Sequence, residues 1–477
     1  MTAETTGLSA DPTVKAPARA STAGASRIGV ALAAVVGFAC ALTVLYPGQY
    51  PFDSAYQLWQ ARHGIYSNIT PVPMIGLWSL LLHVFGNPAS LLCLNLALFW
   101  AGLGLCFQAL PARAWVKVSG VLLTGLNPLA LVQMAHLLSD AHMTALLALG
   151  AGLLVQSLRT GSRMAILAAC LLLVYAGTIR QNALVAIVPF GPLVLMALKP
   201  RWRMGTAAVL VSMIIAGTVT LATGMTLDRM LATERRDLWP MLALWDLAAI
   251  SVATGELLLP PFTHGAGLDV EELRETGAFN PVSVTSLFSS SRSGVNNGFI
   301  EPYSAEQRWT IAKAWWKAIA DHPFAYLSHR GRTASLLFGR QSGQAPHGIA
   351  YYQARTDYRD NPPLPAAWFA NAQGRLYRLA DQLSSTWLFS ALPLVLLNAG
   401  AFWLAWRRRG GAEGAFAAGI SASALLYAAS FLPLAPSAEL RYLTWPIIAA
   451  LPAVVFAFSA RSGKHGEAST PLTSHAP

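Results

Sequence analysis

Carboxylates are nearly absent from the first half of this sequence: between residues 28 and 225 the only acids are Asp53 and Asp140. Charge of either sign is scarce, at 12% of the 477 residues, where an ordinary soluble domain carries roughly 25%. Length alone would suggest three soluble domains. The charge deficit excludes them, as do 54% hydrophobic residues and a mean hydropathy of +0.46, and the same composition excludes disordered, collagen-like and coiled-coil chains. Cysteine is rare too. Cys40, Cys93, Cys106 and Cys170 all lie in apolar runs without paired or metal-type spacing, which excludes a disulfide framework and a zinc site. No P-loop, no G-x-S-x-G and no Rossmann glycine pattern occurs, so nucleotide-driven and serine-hydrolase chemistries are excluded. The histidines lack HExxH-type spacing, and no repeat of fixed period is present, which weighs against inverted-repeat transporters.

What the sequence has is long apolar runs. A helix of about 20 apolar residues crosses a bilayer, and such runs are expected at 28–46, 89–110, 115–136, 140–158, 164–179, 183–198, 205–225, 387–406, 413–432 and 442–459. The net charge of +11 would otherwise point to nucleic acid. Most of it is accounted for by short basic clusters between the runs, at Lys15/Arg19/Arg27, Arg113/Lys117, Arg159/Arg163, Lys199/Arg201/Arg203, Arg407/Arg408/Arg409 and Arg461/Lys464. Basic residues in short loops stay cytoplasmic. Every cluster falls on that side if both termini are inside and the shorter apolar stretch 71–86 does not cross. The expected fold is therefore an all-α polytopic membrane protein of about ten spans, with an interfacial helix in its first outer loop and a small extracytoplasmic domain. The expected boundaries are a disordered cytoplasmic tail at 1–27 and a membrane module at 28–225 that includes the outer loop 47–88. An extracytoplasmic domain at 226–386, C-terminal spans at 387–459 and a disordered tail at 460–477 complete the chain.

That topology puts Asp53, Asp140, Arg180 and Arg441 at one outer face. An acid near hydrocarbon is costly and is a functional candidate by default. Its structural alternative is a helix N-cap, worth about 1 kcal/mol, and both positions suit one. Arg180-Gln181-Asn182 joins a planar fork suited to phosphate oxygens to two amides suited to sugar hydroxyls. A snorkelling interfacial arginine is its alternative. Glu439-Leu440-Arg441-Tyr442 is similar, with an internal Glu–Arg pair as its alternative. Arg330, in the run from His322, offers a further cation, and Asp246 is an acid among apolar residues that suits either acceptor binding or packing.

Taken in order, Pro47-Gly48…Phe52-Asp53, the Pro71–Gly86 helix, Asn127-Pro128…Ser139-Asp140, Arg180-Gln181-Asn182, His322-Pro323-Phe324-Ala325-Tyr326-Leu327 and Arg441-Tyr442 resemble the GT-C superfamily of polyprenyl-phosphate-dependent glycosyltransferases. Relatives in that group include protein mannosyltransferases and the lipid A aminoarabinose transferase. The sequence departs from many of them in having Thr70-Pro71-Val72-Pro73 in place of His-Pro-Pro, and Ser54 rather than a second acid after Asp53.

The resemblance implies a plasma-membrane enzyme of the cell envelope that takes a sugar from a polyprenyl-phosphate donor. Asp53 would be the base and Asp140 its assistant, positioning Asp53, the acceptor or an optional divalent cation (Mg or Mn). Arg180, Arg330 and Arg441 would hold the donor phosphate, and Gln181, Asn182 and Asp246 the sugar or acceptor. The implied partners are the donor lipid, membrane lipids and a glycan, lipid or protein acceptor, with no nucleic acid. A lipid or solute transporter, or an envelope-assembly scaffold without catalysis, is the alternative function.

Overall fold

The computed structural model describes residues 18–199, 204–265, 267–275, 277–288, 295, 302–339, 357–384, 386–408 and 410–460. Among these residues every regular element is helical, and β-pairing is limited to isolated bridges. The first half of the chain forms α1 (Ala18–Leu45), α2 (Phe52–His63), α3 (Val72–Phe85), α4 (Ser90–Gln108), α5 (Ala114–Gly125), α6 (Pro128–Met134), α7 (Ser139–Thr160), α8 (Arg163–Ile179), α9 (Ala183–Ile187), α10 (Phe190–Leu198) and α11 (Thr206–Leu231). A middle group follows: α12 (Trp239–Thr254), α13 (Val270–Glu275), α14 (Ala305–Asp321), α15 (Pro323–Phe338) and α16 (Ala370–Ser384). The chain closes with α17 (Leu392–Arg408), α18 (Gly411–Leu434) and α19 (Thr444–Ser459).

The protein is an all-α polytopic membrane protein. Among the described residues, six helices are long and apolar enough to cross a bilayer: α1 from Gly24, α4, α7, α11, α18 and the stretch Leu440–Ser459 that contains α19. The pair α5–α6, bent by 55°, makes a seventh if taken as one span. The other three expected spans fall on shorter or broken helices. α8 and α17 have 17 residues each, at the lower limit for crossing, and α9–α10 is interrupted around Val188-Pro189. α3 has 14 residues, about 21 Å of helix, too short for a hydrocarbon layer of about 30 Å. α7 and α19 are largely enclosed, whereas α11 leaves Leu210, Val211, Ile214, Ile215 and Val219 outward, as a lipid-facing helix does.

Close approach of the spans depends on small residues. A Cβ added to Gly102 on α4 would lie 2.5 Å from the Ala148 carbonyl carbon on α7, and one added to Gly152 would lie 2.6 Å from the Gly102 oxygen. Helices in lipid associate through such close packing because lipid tails are as apolar as the helix surfaces, so no hydrophobic drive brings them together. Gly102→Ala is therefore expected to force α4 and α7 apart at the centre of the bundle. In detergent its melting temperature should fall well below wild type, while Gly76→Ala, where nothing lies within 4 Å, should melt as wild type does.

Two boundaries differ from the sequence reading. α1 begins at Ala18, inside the stretch expected to be a disordered tail, because Ala18, Ala20, Ala23 and Ala25 favour helix continuation. Residues 1–17 and 461–477, the rest of the expected tails, lie outside the described residues. The expected extracytoplasmic domain also divides. Trp245, Leu247, Ile250, Leu273, Leu287 and Ile311 belong to one separate apolar core, but Leu337, Tyr377 and Ala380 join the core of the membrane bundle. α16 is thus a cover on the bundle rather than part of the separate domain.

Candidate active site

The turn after α1 is built to fold back. The Tyr46–Pro47 peptide is cis, and Gly48 has φ +102°, where a side chain is strained; a Cβ there would also meet Leu137 at 2.2 Å. Gln49 then pairs with the strand-like segment after α6, its N–H donating to Ala135 O at 2.8 Å and its carbonyl accepting from Leu137 N–H at 3.2 Å. Ser54 adds a bond from its hydroxyl to Leu137 O at 2.9 Å. Asn127 starts α6 by capping Leu129 N–H at 2.9 Å, with Pro128 in the first turn where its missing N–H costs nothing. The start of α2 is in this way fastened to the start of α7.

Residues 357–384 hold the other side of that loop. Asn361 Nδ2 donates to Ala55 O at 2.7 Å, Arg62 Nη1 to Asp360 O at 2.7 Å, and Tyr358 packs edge-on against Phe52, Tyr56 and Trp59. Gln373 Nε2 lies within hydrogen-bonding distance of the last carbonyls of α1, those of Val44, Leu45 and Tyr46, nearest Leu45 at 3.0 Å.

Neither acid is a helix cap. The N-cap residues of α2 and α7 are Pro51 and Leu138; Asp53 and Asp140 are the second residues of their helices, in the first turn, and reach arginines. Arg180 Nη1 donates to Asp140 Oδ2 at 2.6 Å and approaches Ser139 Oγ at 3.5 Å. Arg441 Nη2 lies 2.8 Å from Asp53 Oδ2, and its Nε pairs with Glu439. The two pairs meet on one ring: the Arg180 and Arg441 guanidiniums lie 5.0 and 5.4 Å from the Tyr442 centroid. The Tyr442 hydroxyl is 2.9 Å from Ser437 Oγ, which donates to Glu439 Oε1 at 2.8 Å. Two groups beside the cluster have no hydrogen-bond partner among the described residues, Asp140 Oδ1 and the hydroxyl of fully buried Tyr427 on α18. Asp53 is the open member, with 47% of its side chain exposed against 3% for Asp140.

Gln181 is exposed and Asn182 half-buried in the turn after Arg180, and neither takes part in the ion pairs. Arg330, expected as a donor-phosphate ligand, and Asp246, expected to bind the acceptor or to pack, lie outside this cluster and pair with each other. Arg330 Nη2 donates to Asp246 Oδ2 at 2.6 Å and Nη1 to Ala435 O at 2.8 Å, both side chains being buried. Trp315 Nε1 donates to the same Asp246 oxygen at 3.0 Å, and Trp245 and Tyr326 flank the guanidinium. Burial pushes the Asp246 carboxyl up to about 6, with Arg330 pulling the other way, and drives neighbouring His329 down to about 3. The Arg330–Asp246 pair ties α15 to α12, and the Ala435 bond ties α15 to the end of α18. Asp246 Oδ1 and Arg330 Nε keep no hydrogen-bond partner among the described residues. Reading the sequence did not single out Glu439 beyond its pairing with Arg441, nor Tyr427 at all; a tyrosine in an apolar helix carries no signal of what it faces.

Among the described residues, no group of three or more His, Cys, Asp or Glu side chains converges as a metal ligand set. The acids here are held on guanidiniums, which would repel a divalent cation. The site does not fit one, and no step below passes through a metal.

The basic loops gather at the opposite end of the bundle. Lys117 Nζ donates to Gln108 O at 3.3 Å, Arg159 pairs with Glu413 at 2.6 Å, and Arg408 Nη1 donates to Phe458 O at 2.7 Å. α7 runs from Asp140 at one end to Arg159 at the other.

The fold and this cluster define a polytopic helical membrane protein with an arginine–carboxylate site at one end of its bundle. No protein-family model matches the sequence, and no curated protein does. Among solved structures, the arabinosyltransferase EmbB from Mycobacterium smegmatis aligns with 94% of this chain and 42% of its own, at 14% identity and a TM-score of 0.30. This chain thus spans less than half of that protein's length. An overlap of that size carries no argument from one molecule to the other.

Proposed function

We propose that this protein is a membrane glycosyltransferase of the GT-C kind, moving a sugar from a polyprenyl-phosphate donor to an extracytoplasmic acceptor with inversion. The observation that supports it best is the convergence of a half-exposed carboxylate, a buried carboxylate and two arginines on Tyr442. That convergence sits at the bundle end away from the basic loops. Such a site joins a candidate base to two guanidinium groups able to hold a phosphate, the parts that sugar transfer from a lipid phosphate needs. The acceptor hydroxyl gives its proton to Asp53 while its oxygen bonds to the anomeric carbon. The bond from that carbon to the phosphate oxygen breaks on the opposite face, and the electron pair leaves with the phosphate, where Arg180 and Arg441 stabilise it. Asp140 keeps Arg180 oriented and offers its free oxygen to a sugar hydroxyl, alongside Gln181, Asn182 and the hydroxyl of Tyr427. Transport would instead require a charged path near the bilayer midplane open to both sides.

The deciding experiment supplies polyprenyl-phosphate sugars to purified protein and follows release of polyprenyl phosphate and the mass of the product. Turnover with inversion is expected. Movement of intact donor across vesicles without bond cleavage would replace the enzyme reading by a transporter. Orientation is a separate prediction. In a chain whose four native cysteines are replaced, Glu256→Cys should react with an impermeant maleimide on intact cells and Thr160→Cys should not. Reaction at Thr160→Cys alone would invert the topology.

A further inference from the structure

We propose that the donor phosphate enters this site by displacing Asp53 from Arg441, so that donor binding and release of the base are one event. The inference rests on the glycosyltransferase reading and concerns how that site is regulated. Arg441 is shared by two carboxylates of unlike freedom. Glu439 is fixed: 15% of its side chain is exposed, and the Ser437 hydroxyl, itself against Tyr442, donates to it. Asp53 approaches from a different helix and is half-exposed. The other pair cannot exchange in this way, because Asp140 is enclosed at 3% exposure.

Charge points in the same direction. Asp53, Asp140 and Glu439 outnumber Arg180 and Arg441, so the cluster as it stands is net negative and resists an incoming phosphate. Moving Asp53 off Arg441 vacates a guanidinium edge for phosphate oxygens, which it fits as a planar fork. The movement also changes the base. Its Oδ2, occupied by Arg441 at 2.8 Å while the pair stands, becomes open to an acceptor hydroxyl once the pair is broken. The acceptor proton then has a receiver only when donor is present, which guards the lipid-linked sugar from unproductive attack. Glu439 in this scheme is a positioning residue that keeps Arg441 aimed while its other partner leaves.

The test titrates farnesyl phosphate, a short isoprenyl monophosphate, into the full-length protein in detergent. Asp53→Asn should bind it about fivefold more tightly than wild type, the weight of one half-exposed ion pair. Glu439→Gln removes the same negative charge yet should weaken binding, because Arg441 loses its anchor. Asp53→Ser serves the same purpose if Asp53→Asn folds poorly. Unchanged affinity in the Asp53 variants, or equal tightening in the Asp53 and Glu439 variants, would overturn the exchange and leave the donor site standing. Wild-type affinity in both Arg180→Ala and Arg441→Ala would remove the donor site itself.

Discussion

Asp53→Asn is expected to lower sugar transfer by at least about 10²-fold in a protein that is folded normally, since general-base catalysis contributes roughly 10²–10⁴-fold. The substitution is nearly isosteric and keeps a side chain tolerated in a helix first turn. Its structural cost is confined to the Arg441 contact. That contact is 2.8 Å long but half-exposed, and such a pair contributes no more than about 1 kcal/mol. The melting temperature should therefore stay close to wild type while turnover collapses. Asp140→Asn is the companion measurement. It breaks an enclosed pair with Arg180, so it should lose stability as well as activity. Wild-type turnover in a well-folded Asp53→Asn protein would sink the base assignment. A folded but inactive Asp53→Asn that binds farnesyl phosphate no less tightly than wild type would place the loss in the chemical step, and the tightening itself reports on the exchange with Arg441.

How far the site was legible depended on background. Asp53 and Asp140 stand out because two hundred neighbouring residues hold no other acid, and Arg180 because its loop lacks the basic clusters of the other side. Their partners were not legible. Asp53 meets Arg441 from the opposite end of the chain, and the turn at Gly48, the pairing of Gln49 with the segment after α6 and the Ser54 hydroxyl bond bring α2 to the start of α7. Arg330 reads as a donor ligand, and Asp246 as either an acceptor ligand or a packed acid, for a related reason. A charge among apolar residues looks the same in sequence whether it faces a ligand or an opposite charge, and here each faces the other. The helices were legible where apolar runs are long. The extent of α1 and the place of α16 were not: alanine continues a helix without announcing it, and the amphipathic α16 carries no mark of which core it covers.

Arg330→Met is expected to destabilise the protein by about 3–5 kcal/mol, the cost of leaving a buried carboxylate without its counter-charge. Asp246 is fully buried on α12, with Trp315 Nε1 as its remaining donor once the guanidinium is gone. Arg330 also donates to Ala435 O, the first link of a segment that runs beside residues 282–284 through Ala438 N–H to Val282 O at 2.8 Å and Val284 N–H to Pro436 O at 3.0 Å. That segment continues into Ser437, Glu439 and Arg441. Loss of Arg330 should thus loosen the packing of α15 on α18 first, visible as early proteolysis in residues 239–339, and disturb the site only through it. Replacing both partners, as Asp246→Leu with Arg330→Met, should recover most of the stability, because an apolar pair of similar volume substitutes for a buried ion pair at little cost. The double variant separates the two roles the sequence allowed for Arg330. Restored melting together with restored transfer fits a structural pair, whereas a stable double variant that no longer binds farnesyl phosphate would return Arg330 to the donor site.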